Sequence, residues 1–156
     1  GINNKLDLPI EYECLNLKEC SGTTCFKTKC NLYDGKIIPY KTNSFDIILS
    51  DFVLHHTSEN AVSLLSQLYN ICSKYMIIGE DISSLYASKE WQTTLFNHDP
   101  NGIFRSIKEW MNLFELINFK LEKVVCLSRV NAEYKGKKCN IGGGPGMVYF
   151  ILKKNS

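Results

Sequence analysis

Hydrophobic and polar positions follow different periods along the chain, and the changes of period divide it into elements. Phe45-Asp46-Ile47-Ile48-Leu49-Ser50 is an apolar run too short for a globular helix. A turn signal at Thr42-Asn43-Ser44 bounds it, so it reads as a parallel strand buried on both faces. Val53 to His56 leaves the strand tip, and Thr57 or Ser58 offers an N-cap oxygen. From Glu59 to Lys74, the residues Ala61, Leu64, Leu65, Leu68 and Cys72 recur at helical spacing. Tyr75 to Gly79 is apolar again and runs into Glu80-Asp81. Together these pieces predict one right-handed βαβ unit with short connections.

Upstream, Ile10 to Leu17 reads as a strand, and Phe26 to Leu32 alternates as a half-buried one ending at Tyr33-Asp34-Gly35. Downstream, Ile82 to Phe104 is less regular. It holds a short helical stretch, Lys89 to Phe96, and then a loop signal from Asn97 to Gly102. A long connection beyond a strand tip is where substrate-facing lids lie, and Trp91, Phe96, His98 and Arg105 are its candidate lid residues. Ser106-Ile107-Lys108-Glu109 is a capping box. Ile107, Trp110, Met111, Phe114 and Ile117 then form one apolar stripe, with Asn118 as a left-handed stop. Leu121 to Leu127 and Met147 to Leu152 are the last strands. Gly142 to Gly146 precedes a strand rather than a helix, so it reads as a turn and not a phosphate loop.

In open α/β sheets, ligands bind outside the carboxyl ends of parallel strands. The predicted strand ends carry Asp34-Gly35, Ser50-Asp51 and Glu80-Asp81. Acids and hydroxyls at such tips suit ribose, amine or amide groups, whereas phosphate calls for glycine-rich amides or basic side chains.

Those residues also carry a resemblance. Tyr33-Asp34-Gly35, Ile38-Pro39-Tyr40, Asn43-Ser44-Phe45-Asp46 and Leu54-His55-His56 resemble the second half of a class I S-adenosylmethionine-dependent methyltransferase of the type 11 kind. The resemblance runs from Phe26 to the end. It implies a Rossmann-like α/β sheet ordered 3-2-1-4-5-7-6, of which this chain would hold 4-5-7-6, with only strand seven antiparallel. It also implies S-adenosylmethionine as cofactor and methyl transfer to an acceptor that the sequence does not name. By the same resemblance Asp34 and Gly35 would meet the adenine, and Ser50, Asp51 and Phe52 would line the methionine half of the cofactor.

His56 is the candidate general base, and Glu80, Asp81, His98 and Arg105 are candidate substrate contacts. Adjacent helical residues point about 100° apart, so His55 and His56 are not expected to share a metal. One should pack while the other faces the cleft. Many methyl transfers need no strong base, because the sulfonium is already an activated donor. The family's glycine-rich turn after strand one has no counterpart before Asp34. A non-catalytic, methyltransferase-like scaffold or partner subunit is therefore the alternative reading.

Composition adds bounds. With 156 residues, 44% hydrophobic and 22% charged, the chain reads as a single globular domain, 1–156, with 1–25 a divergent N-terminal segment. The net charge of +2 gives no strong nucleic-acid signal, no run suits a membrane span, and the polar opening is not a signal peptide. Gly1, with no methionine, reads as the start of a fragment or processed product. Cysteines stand at 14, 20, 25, 30, 72, 126 and 139. Their odd count argues for reduced thiols in a cytoplasmic protein, and the spacing of the first four departs from paired zinc ligands. A cysteine-rich metal-binding module over 14–30 is a third hypothesis. Without strand one, the side of Asp46–Ser50 should be uncovered: either Ile10–Leu17 moves in to pair with it, or it stays an open, apolar edge prone to self-association.

Overall fold

The computed structural model describes residues 11–17, 30–83, 93, 97, 99–126, 132–134, 137–139 and 146–155. The chain divides into two compact units, Gly1–Pro39 and Tyr40–Ser156.

In the first unit, β1 (Leu15–Asn16) pairs in parallel with β2 (Asn31–Leu32). The ladder continues in the bonds from Asn31 N–H to the Cys14 carbonyl (2.7 Å) and from Tyr33 N–H to the Asn16 carbonyl (3.1 Å). The N-terminal strand thus pairs with β2. β1 is shorter than the expected Ile10–Leu17, and residues 26–29 of the second expected strand lie outside the described residues. Cys14 and Cys30 flank the pair and form a disulfide across a Cα separation of 4.4 Å. Cys126 is also disulfide-bonded, which overturns the expectation of seven thiols.

The second unit is built on four strands. β3 (Phe45–Asp51) passes through a 3-10 helix (Leu54–Asn60) into α1 (Ala61–Ile71), which returns directly as β4 (Cys72–Ile82). α2 (Ile107–Leu116) leads into β5 (Phe119–Cys126). A small antiparallel pair follows, β6 (Ala132–Tyr134) with β7 (Lys137–Cys139), and β8 (Gly146–Lys154) closes the order. The sheet runs β3-β4-β8-β5. β3 and β4 are parallel, and β8 is antiparallel to both β4 and β5. This is the 4-5-7-6 order expected from the resemblance, with one antiparallel strand between parallel ones.

The core follows from alternation along the strands. Ile48, Met76, Ile78, Val148, Phe150 and Leu152 are buried, as are Leu65 and Leu68 of α1 and Trp110 and Phe114 of α2. Phe114 meets Phe150 edge-on at 5.1 Å. Each such side chain contributes about 1.5–3 kcal/mol by leaving water. β3 departs from the expectation of burial on both faces. Ile48 and Ser50 are buried, whereas Ile47 and Leu49 are 59% exposed, because among the described residues nothing covers the second face. Among those residues, too, β3 pairs with β4 alone.

Local signals mostly hold. Ser106 and Glu109 form the capping box, and Asn118 stops α2 at φ 64°. Asn43 takes φ 56° in the turn before β3. Thr57 does not cap α1. Its hydroxyl donates to the Leu54 carbonyl at 2.7 Å, because the 3-10 helix feeds α1 without a break. The helix ends at Ile71 rather than Lys74, since Cys72 is already extended and buried at the head of β4. Lys154 Nζ donates to the Tyr69 and Cys72 carbonyls at 2.9 and 2.8 Å, satisfying acceptors that the helix end leaves open. Among the described residues, no helix is long and apolar enough to cross a membrane.

Candidate functional site

Parallel pairing sets Asp51 of β3 opposite Gly79 of β4, so both strands deliver their carboxyl ends to one edge. Ser50 is buried there. Asp51 is exposed, and its Oδ1 accepts the Tyr149 phenol at 2.6 Å from β8, two strands away. That bond pushes the Tyr149 phenol up to about 12, with burial adding to the shift. Gly79 makes room for the contact, since a β-carbon there would collide with the Asp51 carboxylate and the Tyr149 ring. Phe52 follows at φ 53°, a left-handed conformation rare for a bulky residue. Its amide donates to the Gly79 carbonyl at 2.8 Å, and its ring meets Tyr149 edge-on at 6.4 Å. Strain of this kind collects at binding sites. The expected trio Ser50, Asp51 and Phe52 therefore sits at one strand tip. Gly79 and Tyr149 join it, and only pairing across the sheet could have pointed to them.

The next residue of β4 does something else. Glu80 is fully buried, and both its oxygens are committed. Oε1 accepts the Leu54 amide at 2.7 Å, and Oε2 takes His55 Nδ1–H at 2.6 Å. The expectation of a substrate-facing Glu80 gives way to a positioning role: it caps the 3-10 helix from inside and locks the His55 ring. Burial alone would push the His55 imidazole down. The hydrogen bond and charge of Glu80, together with the charges of Asp81 and Asp99, outweigh it and hold His55 above its ordinary value. Asp81 is half-buried, and burial pushes its carboxyl up.

The two histidines divide as expected in exposure, with His55 buried and the His56 side chain 56% exposed. They do not diverge as expected. Their ring centroids lie 4.0 Å apart, and both face Asp99. His56 Nδ1 is 2.8 Å and His55 Nε2 is 3.7 Å from Asp99 Oδ2. Side chains that diverge at Cα converge at their tips because the Asp99 loop approaches from one side. That loop is tied to the 3-10 helix by the Ile103 amide, which donates to the His55 carbonyl at 2.8 Å, and by Phe104 stacked on His55 at 5.2 Å. The sequence marked 97–102 only as a loop, so Asp99 was missed.

Arg105 lies over the Trp110 ring at 5.0 Å, which gives it a packing partner at the start of α2. His98 lies outside the described residues. In the first unit, Asp34 Oδ1 accepts the Lys36 and Ile37 amides at 2.8 and 3.3 Å, which hold its carboxyl below the usual range. Gly35 takes φ 78°. This is the geometry of an ordinary Asp-Gly turn. A groove of about 420 Å³ lies between the end of α2 and the start of β5. It opens at the amino end of β5 and so lies away from the strand tips.

No family model matches the sequence, and no curated protein matches it. Solved structures do. A SAM-dependent methyltransferase from Thermotoga maritima superposes with a TM-score of 0.63 at 21% identity, over 81% of this chain and 64% of that one. A SAM-dependent methyltransferase from Archaeoglobus fulgidus gives 0.59 at 16% identity, over 90% and 74%. Magnesium protoporphyrin IX methyltransferase from Synechocystis, a structure with bound SAH, gives 0.53 at 11% identity, over 81% and 51%. This chain thus spans just under two-thirds of the Thermotoga chain. At these identities the likeness establishes the fold.

Proposed function

From the class I SAM-dependent methyltransferase fold of this chain, we propose that it serves an enzyme transferring a methyl group from S-adenosylmethionine to an acceptor. The observation that carries this reading is the tip of β3, where a buried Ser50, a braced Asp51 and a strained Phe52 meet at the edge where such sheets bind ligands. The residues present fit part of the cofactor. Asp51 and Ser50 offer acceptors for the methionine half. The only glycines before Gly35 are Gly1 and Gly22, so the glycine-rich turn is not in this chain. When bound, the cofactor supplies a methyl group already activated on sulfonium, and the chain's own part is orientation. With the histidine pair metal-free, His56, turned toward the Asp99 carboxylate, would accept a proton from the acceptor in this reading. Asp81 and Arg105 are the remaining substrate contacts of this reading. We read both units as one methyltransferase-like domain.

A second reading is a non-catalytic scaffold that binds no cofactor. In that role the exposed Ile47 and Leu49 on edge strand β3 would mediate self-association. Calorimetry with S-adenosylmethionine and S-adenosylhomocysteine separates the two. The enzyme reading expects binding that is weak in this chain, where the glycine-rich turn is absent, and weaker still, roughly tenfold or more, with Asp51→Ala through loss of a charged acceptor. A folded protein that binds neither ligand, with Asp51→Ala indistinguishable from it, would remove the β3 tip from any cofactor site.

A further inference from the structure

A second constellation stands at the same end of the sheet and does not depend on the cofactor. We propose that His55, His56 and Asp99 hold a divalent transition-metal ion of the zinc class. One ligand atom from each residue lies within 4.8 Å of the other two. With metal–nitrogen and metal–oxygen bonds of about 2.0–2.2 Å, the edge of a tetrahedral site is roughly 3.3–3.5 Å. The observed separations from Asp99 Oδ2, 2.8 Å to His56 Nδ1 and 3.7 Å to His55 Nε2, straddle that edge. Two imidazoles and one carboxylate suit zinc and its neighbours rather than magnesium or calcium, and three protein ligands leave one position open for an outside donor.

The surroundings point the same way. A metal-bound histidine usually donates its other ring N–H to a carboxylate, which fixes the tautomer and aims the ligating nitrogen. Glu80 does this for His55 from a fully buried position, through Nδ1 at 2.6 Å. Asp99 Oδ2, enclosed from solvent, has no well-directed hydrogen bond among the described residues despite its nearness to His56. An ion pair or proton acceptor made of His56 and Asp99 alone would explain one contact. A bound ion would engage His55 Nε2, the nitrogen not committed to Glu80, and the Asp99 carboxylate together. Gly102 holds the loop close, since a β-carbon there would strike the Asp99 carboxylate and Phe104.

Cobalt(II), titrated into the chelator-treated protein, reports such a site by its visible absorption, and zinc should then displace it one for one. The expected result is one equivalent bound, with no thiolate charge-transfer band. Binding should be lost in His56→Ala and Asp99→Asn, and weakened about 10–100-fold in Glu80→Gln. His56 is exposed and Asp99→Asn keeps its shape, so unchanged circular dichroism would show that both variants fold. Lack of stoichiometric uptake, uptake unchanged in His56→Ala and Asp99→Asn, or a thiolate band placing the ion on cysteines would each overturn the proposal. Metal uptake is read without methyl transfer, so the result is independent of the cofactor reading.

Discussion

Asp46 and Glu80 stand near opposite ends of the β3–β4 pair. Asp46, at the start of β3, accepts the Ser73 hydroxyl at 2.8 Å and meets Lys74 at 3.2 Å, with its side chain 67% exposed. Glu80, near the end of β4, also has two partners, but it is fully buried. The contact lists look alike and the energetics do not. Water can replace either partner of Asp46 at once, so its pairing adds little. Nothing can replace Glu80. Without it, the Leu54 amide and the His55 ring would each be left without an acceptor in the interior. The carboxyl end of the sheet is therefore set by interactions that cannot be exchanged for solvent, and the amino end is not. A site that must hold side chains at fixed distances belongs at the first kind of end.

The largest test of that difference is Glu80→Ala. Breaking a buried charged pair by removing one partner costs about 3–5 kcal/mol. Urea denaturation, run with a chelator so that bound metal does not contribute, should show a loss of that size. A loss below about 1 kcal/mol would mean that water reaches the pair and that the two ends do not differ. Tyr149→Phe should have a smaller effect, about 1.5 kcal/mol, the low end for a hydrogen bond to a charged group, because Asp51 is open to solvent. The pH dependence has a definite sign. The folded phenol lies at about 12, above its ordinary value of 10.0, so its contribution is complete below pH 10 and fades as pH rises toward 12. The difference in stability between the wild type and Tyr149→Phe should shrink over that window. A difference that stays constant through it would break the assignment.

The same contrast explains what the sequence made legible. The Ser106–Glu109 capping box and the Asn118 stop depend on neighbours a few residues apart and can be read locally, whereas the four-strand order came from the family resemblance. Ser50 and Asp51 stood out as candidates because strand tips are where α/β sheets bind, and Phe52 through the family resemblance. The role of Glu80 was not legible, because its partners lie 25 and 26 residues upstream and an acid at a strand end reads the same whether solvated or buried. Asp99 was hidden for the same reason, being one polar residue in a loop of polar residues. The Cys14–Cys30 bond spans 16 residues and fits no spacing motif; the β1–β2 pairing that brings its ends together is two residues long and invisible to periodicity.

The smallest expected effect completes the comparison. Asp46 should make its mark only in acid. The Ser73 hydroxyl and then Lys74 hold its carboxyl below the ordinary value of 3.8. Its contribution is therefore present above that value and is lost as pH falls below it. The group is fully open to water, so ions should screen the Lys74 part, leaving the short Ser73 bond as the more persistent one. Asp46→Asn should leave the urea midpoint at neutral pH unchanged within error. In acid it should remove a small slope that added salt also reduces. A clear loss at neutral pH, of the kind expected for Glu80, would show that the amino end of the pair is closed to solvent in solution, and the contrast between the two ends would fail at its weaker end.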